Sequence, residues 1–308
     1  MKTKKRRRKI KKMNKAYKFG TVAIIGSPNV GKSTLLNKLL GEDVAIISSK
    51  PNTTRNCIRG IKTTDEYQIV FLDTPGIHTA KDKINQLMVR QAIDSLSMVD
   101  IVYFIVTPDE IFKKEYNTIV EVLNKINAAK FLLVNKIDIH KKEDVVNVAN
   151  KAFSGATFTY VLPVSALTGA NVDKLLELTI ESLPEGFKIY DDEEITTLPE
   201  KFLIGEFIRE SVFNLLKDEV PYNVLVECEK VEDRSDDLLY VAASIIVNRS
   251  SQKGIIIGKG GDMIKKIGSR ARKKIEAFFQ VKVYLELFVK IRKDWMNNDE
   301  YLKIQGLV

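Results

Sequence analysis

The most constraining feature of the chain is an eight-residue segment that lies between an apolar run and a helical pattern. It reads Gly26-Ser27-Pro28-Asn29-Val30-Gly31-Lys32-Ser33 and fits the pattern G-x-x-x-x-G-K-[ST]. Val22–Ile25 before it is typical of a buried strand, and Leu36, Leu39 and Leu40 after it recur at helical spacing up to Gly41. The sequence therefore predicts a strand, a tight loop and a helix in succession.

The residue types of this loop are those that phosphate binding requires. Gly26 and Gly31 permit a tight bend that points successive N–H groups inward, and the helix N-terminus adds partial positive charge. Lys32 is placed to reach the β- and γ-phosphates of a nucleotide, and the Ser33 hydroxyl to bind Mg²⁺. A glycine-rich turn without a ligand is the alternative, because a single motif can match by chance.

The positive charge of the 308-residue chain is concentrated at its start. The formal net charge is +9, but eleven of the 49 Lys and Arg lie in residues 1–20, so the rest carries 38 basic and 40 acidic residues. We expect residues 1–19 to be a disordered basic extension for phosphate backbones or anionic lipid surfaces, with a solvated arm as the alternative.

Apolar runs and cysteine usage indicate the compartment. The longest early apolar run is too short for a signal peptide, and no segment approaches the roughly eighteen apolar residues of a membrane span. Cys57 and Cys228 are the two cysteines and lie far apart in the sequence. A disulfide framework is therefore not expected, and a reducing cytoplasm fits.

Short apolar runs alternate with helical patterns over residues 20–186. The runs are Val22–Ile25, Ile69–Leu72, Ile101–Val106, Phe131–Val134 and Tyr160–Leu162. Helices are expected near 82–98, 115–128, 143–153 and 171–182. Continuous apolar strands separated by helices predict an α/β domain with a mostly parallel, six-stranded sheet covered on both faces. In such sheets, ligands bind beyond the carboxyl ends of the strands.

Polar motifs follow three of these strands. In Asp73-Thr74-Pro75-Gly76 the carboxylate can hold a magnesium ion through water, and the Gly76 amide can face a γ-phosphate. In Asn135-Lys136-Ile137-Asp138 the last carboxylate can accept hydrogen bonds from guanine N1–H and the 2-amino group, donors that adenine lacks. A backbone N–H of Ser165-Ala166-Leu167 could donate to guanine O6. Each match alone fits ordinary loop chemistry, but four such loops in order resemble a GTPase domain of the translation-factor-related class.

The segment Pro51-Asn52-Thr53-Thr54-Arg55 lies between the first helix and the next strand. A Thr here can bind Mg²⁺ when the γ-phosphate is present and release it after hydrolysis, and we choose Thr54 over Thr53. A polar surface loop is the alternative. Ras-like enzymes have a water-orienting Gln directly after the glycine of the third motif, where this chain has Ile77. Intrinsic hydrolysis should therefore be slow.

Residues 187–200 form an acidic connector to a second domain, predicted over residues 201–308. A helix is expected near 201–217, strands over Tyr222–Glu229 and Leu238–Val247, a basic helix to about Phe279, and a strand over Val281–Ile291. With a glycine-rich loop between two helices, this α-β-β-α-α-β order matches a KH domain of the second topology.

The loop of this domain reads Gly258-Lys259-Gly260-Gly261, and such a G-x-x-G loop lets a nucleic-acid backbone approach closely. The candidates for phosphate contacts are Lys259, Lys265, Lys266, Arg270, Lys273 and Lys274, and Ile255, Ile256 and Ile257 are expected in the apolar floor of the groove. The alternative is a glycine-rich helix junction with a solvated basic face, since a lone G-x-x-G is weak.

Together, the four loops, Pro51–Arg55 and the C-terminal pattern resemble the Era family of bacterial GTPases over about residues 18–308. Segments that fit the family's C-terminal part are Glu219-Val220-Pro221-Tyr222, Gln252–Gly261 and Val281–Leu287. The chain departs from the family in two ways. Ser27 stands where Arg is usual, and the basic leader exceeds the family's ordinary start.

The resemblance implies a slow GTPase that binds GTP or GDP with Mg²⁺, binds the 3′ end of 16S rRNA and assists assembly of the small ribosomal subunit. It also implies peripheral association with the inner membrane; we expect a monomer and no DNA partner. In related GTPases an Asn at the position of Asn29 helps to hold K⁺, which predicts faster turnover in potassium than in sodium. The residues expected to contact nucleotide are Gly26–Ser33, Thr34, Asp73–Gly76, Ile77, Asn135–Asp138 and Ser165–Leu167, with Lys32, Thr54, Gly76 and Asn29 in catalysis and Ser33, Thr54 and Asp73 at the metal.

Alternative functions remain open at this point. The chain could be a GTP-switched RNA-binding assembly factor, an RNA-binding module whose nucleotide only stabilises the fold, or a membrane-associated regulatory GTPase. An ATPase is disfavoured by Asp138.

Overall fold

The computed structural model of the protein describes residues 16–79, 83–109, 114–152 and 157–304. Most of the predicted basic extension lies outside the described residues. The first strand begins at Lys18, two residues before the predicted start of the domain, so Lys18 and Phe19 belong to the sheet.

The first module contains a six-stranded sheet with helices on both faces, as the sequence predicts. Its elements are β1 (Lys18–Ile25), α1 (Lys32–Leu40), β2 (Ile58–Thr63), β3 (Tyr67–Asp73), α2 (Lys83–Asp94), β4 (Ile101–Val106), α3 (Lys114–Leu123), β5 (Ala129–Val134), α4 (Lys142–Ala152), β6 (Tyr160–Pro163) and α5 (Val172–Ser182). The strand order is β2-β3-β1-β4-β5-β6, and only the β2–β3 pair is antiparallel.

Side chains that alternate along β1 fill both layers of the core. Val22 and Ile24 pack on the face covered by α1 and α5, whereas Ala23 and Ile25 pack on the face covered by α2, α3 and α4. Burial on both faces explains why the central strands are continuous apolar runs. The edge strand β2, in contrast, has one exposed and two half-buried residues, and it is absent from those runs.

The predicted acidic connector is bound to the first module rather than free. The Ile61 N–H of β2 donates to Ile195 O at 2.8 Å, so the connector covers the edge of the sheet. The buried Gln68 accepts from the Ile189 and Tyr190 N–H groups and donates to Tyr190 O at 2.8 Å. Covering an edge strand in this way removes a template for unwanted strand pairing.

The second module has the predicted α-β-β-α-α-β order. Its elements are α6 (Glu200–Leu215), β7 (Leu225–Ser235), β8 (Leu238–Val247), α7 (Ser250–Ile257), α8 (Asp262–Phe279), β9 (Lys282–Ile291) and α9 (Asp299–Ile304). The sheet order is β7-β8-β9, with β8 and β9 parallel. The strand predicted from Tyr222 begins at Leu225, because Val220–Asn223 forms a 3₁₀ turn around Pro221.

The outer face of this three-stranded sheet packs against the first module. Ile84 and Met88 of α2 share an apolar cluster with Leu225, Ile246 and the fully buried Trp295. The helix that follows the Asp73–Gly76 loop is thus in contact with the second module. None of the described helices is long and apolar enough to cross a bilayer.

Candidate functional site

Asn135 joins the glycine-rich loop to the loops beyond β5 and β6. Its side chain is 2% exposed, donates from Nδ2 to Val30 O at 2.7 Å and accepts at Oδ1 from the Ala166 N–H at 2.9 Å. A Cβ at Gly31 would lie 2.3 Å from Asn135 Nδ2, and Gly31 has φ of 104°, so only glycine fits there. The sequence predicted Asn135 as a nucleotide contact, and the structure shows it holding three loops together.

Ser33, Thr54 and Asp73 converge although they are far apart in the sequence. Ser33 Oγ donates to Asp73 Oδ2 at 2.6 Å and lies 3.0 Å from Thr54 Oγ1. Thr53, the alternative threonine, instead donates to Lys50 O at 2.8 Å. The three oxygens chosen from the sequence as metal ligands therefore meet at one place.

Asp73 is fully buried, and its second oxygen, Oδ1, has no hydrogen-bond partner among the described residues. Burial raises the pKa of Asp73 to about 6, against the opposing effects of the Lys32 charge and the hydrogen bonds from Ser33 and Thr54. A buried carboxylate with an unsatisfied oxygen beside two hydroxyls is a donor set of the kind that hard divalent cations prefer. The residues present therefore fit Mg²⁺.

The buried Lys32 folds back onto the loop that carries it. Its Nζ donates to Ser27 O at 2.9 Å and to Gly26 O at 3.2 Å. These carbonyl groups hold the ammonium over the loop, where phosphate oxygens could replace them.

The loop after β3 divides the predicted residues into two groups. Gly76 lies against the glycine-rich loop, since a Cβ there would be 2.8 Å from Pro28 N. Thr74 is not placed to contact nucleotide, because its side chain is fully buried and donates to Ile24 O at 2.9 Å. The prediction that Ile77 contacts nucleotide is also wrong. Its N–H donates to Gly26 O, and its side chain lies in the core, 2% exposed. Ile77 can therefore neither contact a nucleotide nor orient a water.

The loops predicted to recognise the base lie side by side. Ser165 Oγ donates to Asp138 Oδ1 at 2.6 Å, which leaves the exposed carboxylate oriented by its neighbour. Ile137 N–H donates to Val164 O, and Lys136 has a left-handed backbone with φ of 64°. Two of the three predicted amide donors are occupied: Ser165 N–H by Ala170 O, and Ala166 N–H by Asn135.

A cavity of about 350 Å³ adjoins the glycine-rich loop. Its lining includes the predicted Pro28, Asn29, Gly31, Lys32, Ser33, Thr34, Thr54, Gly76 and Lys136, and also Ile46, Ile47, Ser48, Ser49, Asn52 and Thr53. The stretch Ile46–Ser49 was missed, because an apolar pair followed by two serines carries no motif. Asn29 Nδ2 donates to Ser49 O at 2.8 Å, so this stretch is bound to the glycine-rich loop.

A second cavity, of about 320 Å³, lies between α8 and β9 in the second module. It is lined by Ile264, Lys265, Gly268, Ser269, Arg272, Leu285 and Leu287. Apolar strand side chains on one wall and two cations on the other form a groove that fits an unpaired nucleotide strand. Of this lining the sequence predicted only Lys265; the spacing of Ile264, Gly268 and Arg272 at i, i+4 and i+8 would have indicated the face.

Several predicted RNA contacts lie elsewhere. Ile256 is 0% exposed and belongs to the core, whereas Ile255 is 49% exposed and Ile257 is half-buried. Lys266, Arg270 and Lys273 share a different face of α8 from the cavity. Lys274 binds Glu210, with Asp43 of the first module 3.7 Å away. The loop Gly258-Lys259-Gly260-Gly261 has no buried residue and is open to a backbone.

Two basic side chains of the 47–56 segment bind the second module, and neither was predicted to do so. Arg55, 5% exposed, donates from Nη1 to Val224 O at 2.6 Å and from Nη2 to Tyr222 O at 2.7 Å. Lys50 Nζ donates to Phe213 O and Leu216 O at the end of α6, and burial lowers the pKa of Lys50.

Comparisons with known proteins match both modules. The family model described as a 50S ribosome-binding GTPase matches residues 21–136, and that of the KH domain matches residues 219–296. The GTPase Era of Geotalea uraniireducens is 45% identical over 95% of this chain and 98% of its own length, and that of Geobacter metallireducens is 46% identical over 94% and 98%.

Two solved structures share the whole architecture. A crystal structure of Era in complex with MgGDPNP and nucleotides 1506–1542 of 16S ribosomal RNA has a TM-score of 0.90 and 39% identity, covering 95% of this chain and 99% of that one. A variant of Aquifex aeolicus Era bound to GDP.AlF4⁻ has a TM-score of 0.90 and 38% identity, covering 94% and 99%.

Proposed function

The chain belongs to the Era family of GTPases, and we propose that it is a GTP-dependent switch that binds the 3′ end of 16S rRNA through its KH domain during assembly of the small ribosomal subunit. One observation supports this most: the glycine-rich loop, Thr54 and Gly76 line one cavity, and Asn135 binds the loops beyond β5 and β6 to that glycine-rich loop. On the same chain, an exposed groove suited to single-stranded RNA lies in the adjoining module.

Guanine selectivity is assigned to Asp138. Its exposed carboxylate, oriented by Ser165 Oγ, accepts from guanine N1–H and the 2-amino group, and a wrong base leaves these acceptors unpaired. Because the Ala166 N–H already donates to Asn135 Oδ1, we assign the Leu167 N–H as the donor to guanine O6.

Phosphate binding is assigned to Lys32 and the amides of Gly26–Ser33. In the nucleotide-bound protein Lys32 would exchange the carbonyl groups of Gly26 and Ser27 for phosphate oxygens. Gly76, which lies against Pro28, would donate its amide N–H to the γ-phosphate. Ser33, Thr54 and Asp73 would hold the magnesium ion, which when bound neutralises negative charge on the phosphate oxygens.

Hydrolysis is slow in this proposal because the buried, apolar side chain of Ile77 cannot orient the attacking water. Asn29 would support the reaction by holding K⁺. Its side chain lies against the Ser49 carbonyl, and carbonyl and amide oxygens are the ligands that alkali cations accept.

RNA binding is assigned to the groove between α8 and β9. The Gly258–Gly261 loop would let the backbone approach, Leu285 and Leu287 would contact the bases, and Lys265 and Arg272 would neutralise phosphates. We further propose that the protein acts as a monomer in the cytoplasm, and that the basic segment before residue 20 adds affinity for RNA or for anionic lipid at the inner membrane.

The affinity for a single-stranded RNA with the 3′-terminal 16S rRNA sequence tests the switch. We expect binding with Mg²⁺ and a non-hydrolysable GTP analogue to be tighter than with GDP by about fivefold or more, the lower end of ordinary coupling between sites. Equal affinities would instead indicate an RNA-binding module whose nucleotide only stabilises the fold. A DNA oligonucleotide of the same sequence is the matched control, because it lacks the 2′-hydroxyl groups.

A further inference from the structure

Adjacent side chains of the 47–56 segment point to different modules. Thr54 Oγ1 lies 3.0 Å from Ser33 Oγ, among the oxygens assigned to the metal. Arg55, the next residue, donates to Val224 O and Tyr222 O, directly before β7 of the KH module. Neighbouring Cα atoms are about 3.8 Å apart across a trans peptide, so these two sets of contacts cannot move independently by much.

The Arg55 guanidinium is held by more than its two hydrogen bonds. It is 5% exposed and lies 5.8 Å from the ring centroid of Trp295, which is fully buried. A desolvated guanidinium needs acceptors for its donors, and here Nη1 and Nη2 donate to backbone carbonyl oxygens of the other module. Moving Arg55 away would break these two hydrogen bonds and the contact with Trp295.

Other residues of the 47–56 segment also contact the second module. Lys50 Nζ binds the carbonyl oxygens of Phe213 and Leu216, where the negative end of the α6 dipole lies. Asn214 Nδ2 reaches Ile47 O at 3.5 Å. The segment that surrounds the nucleotide cavity thus binds the KH module at both of its ends.

We propose that Arg55 is a positioning residue that transmits the nucleotide state to the RNA groove. When Thr54 engages or releases the nucleotide-bound metal, Arg55 carries that displacement to Tyr222–Val224 and thereby to β7 and the sheet that supports the groove. The inference rests on the proposed function, since it requires that nucleotide and RNA each bind their assigned module.

The Arg55→Gln variant tests this role in the full-length protein. Gln keeps a polar side chain but cannot reproduce the two-armed contact, and Arg55→Lys should retain part of the effect because one donor group remains. The exposed Arg59 on β2 offers a matched control, Arg59→Gln, which removes the same charge from the neighbouring strand. The readout is the ratio of RNA affinities with Mg²⁺–GTP analogue and with GDP.

We expect Arg55→Gln to bring this ratio to within about twofold of one, whereas Arg59→Gln keeps the wild-type ratio of about fivefold or more. GDP affinity should stay within about twofold of wild type, because Asp138 and the glycine-rich loop are unchanged. A retained ratio in Arg55→Gln would overturn the inference. So would a loss of GDP affinity of about tenfold or more, since that would indicate general damage to the site.

Two further results separate the inference from the proposed function. If the wild-type protein binds RNA equally with GTP analogue and with GDP, both the proposed switch and the inference are wrong. If the wild-type ratio of RNA affinities exceeds about five and Arg55→Gln keeps it, only the inference is wrong. If Arg55→Gln does not fold, Lys50→Gln replaces it, because Lys50 binds the end of α6 from the same segment. Lys50→Gln should lower the ratio, and an unchanged ratio in that variant would contradict the coupling.

Discussion

Replacement of Asn135 by Ala tests whether the three nucleotide loops are held together as the structure indicates. Asn135 is 2% exposed and pairs with Val30 O at 2.7 Å and with the Ala166 N–H at 2.9 Å. Truncation leaves one buried carbonyl and one buried N–H without partners, at about 1–3 kcal/mol each. We therefore expect a destabilisation of about 2–6 kcal/mol, a large part of the roughly 5–15 kcal/mol that stabilises an ordinary domain.

The same variant should bind GDP at least about tenfold more weakly, equivalent to about 1.4 kcal/mol, because the phosphate loop and the base loops lose their common support. Denaturant unfolding without nucleotide gives the stability, and isothermal titration gives the GDP affinity. Asn297→Ala is the control: Asn297 is exposed, its hydrogen bond to Asp294 Oδ1 is on the surface, and the expected change is within about 0.5 kcal/mol. A destabilisation below about 1 kcal/mol by Asn135→Ala, with unchanged GDP affinity, would refute this reasoning.

Three other predictions concern the base, the cation and the groove. Asp138→Asn should prefer xanthine over guanine nucleotides in a competition assay, because the amide no longer accepts from both guanine donors; an unchanged guanine preference would defeat the assignment. GTP hydrolysis should be faster in potassium than in sodium, and Asn29→Ala should abolish the difference, whereas equal wild-type rates would remove Asn29 from this role. If Lys259, Lys265 and Arg272 each neutralise one phosphate, RNA affinity should fall with a log–log salt slope of roughly −2, and Arg272→Gln in the groove should reduce the magnitude of this slope by about 0.7. Arg270→Gln, on another face of the same helix, should leave it unchanged, and equal effects of the two variants would contradict the groove.

The nucleotide loops were predictable from sequence because their chemistry is local. Each motif lies directly after a continuous apolar strand, and the parallel sheet brings the ends of such strands to one edge. The choice of Thr54 over Thr53 agrees with the observed contact to Ser33, although the sequence alone offered two adjacent threonines.

The contacts between the modules were not predictable in this way. Arg55 and Lys50 bind backbone carbonyl oxygens more than 160 residues away. Every residue has a backbone carbonyl group, so the sequence does not indicate which of them will accept such a bond. Gln68 is a similar case, since a polar residue within a buried strand is explained only by the connector it binds.

Positive charge alone did not predict which residues of α8 line the groove. A run of basic residues on α8 predicted phosphate contacts, but Lys266, Arg270 and Lys273 face away from the cavity, while Arg272 lines it. Ile256 was placed in the groove because it is apolar and next to the loop, and it is instead in the core. Helical phase, rather than composition, decides which side chains reach the ligand.

Crosslinking of the protein to RNA in cell extract, with Mg²⁺ and a non-hydrolysable GTP analogue, tests the central claim most directly. Sequencing of the bound fragments should show enrichment of the 3′ end of 16S rRNA, and exchange of the analogue for GDP should reduce it. Fragments spread evenly over cellular RNA, or the same enrichment with either nucleotide, would contradict a GTP-dependent switch that reads this RNA.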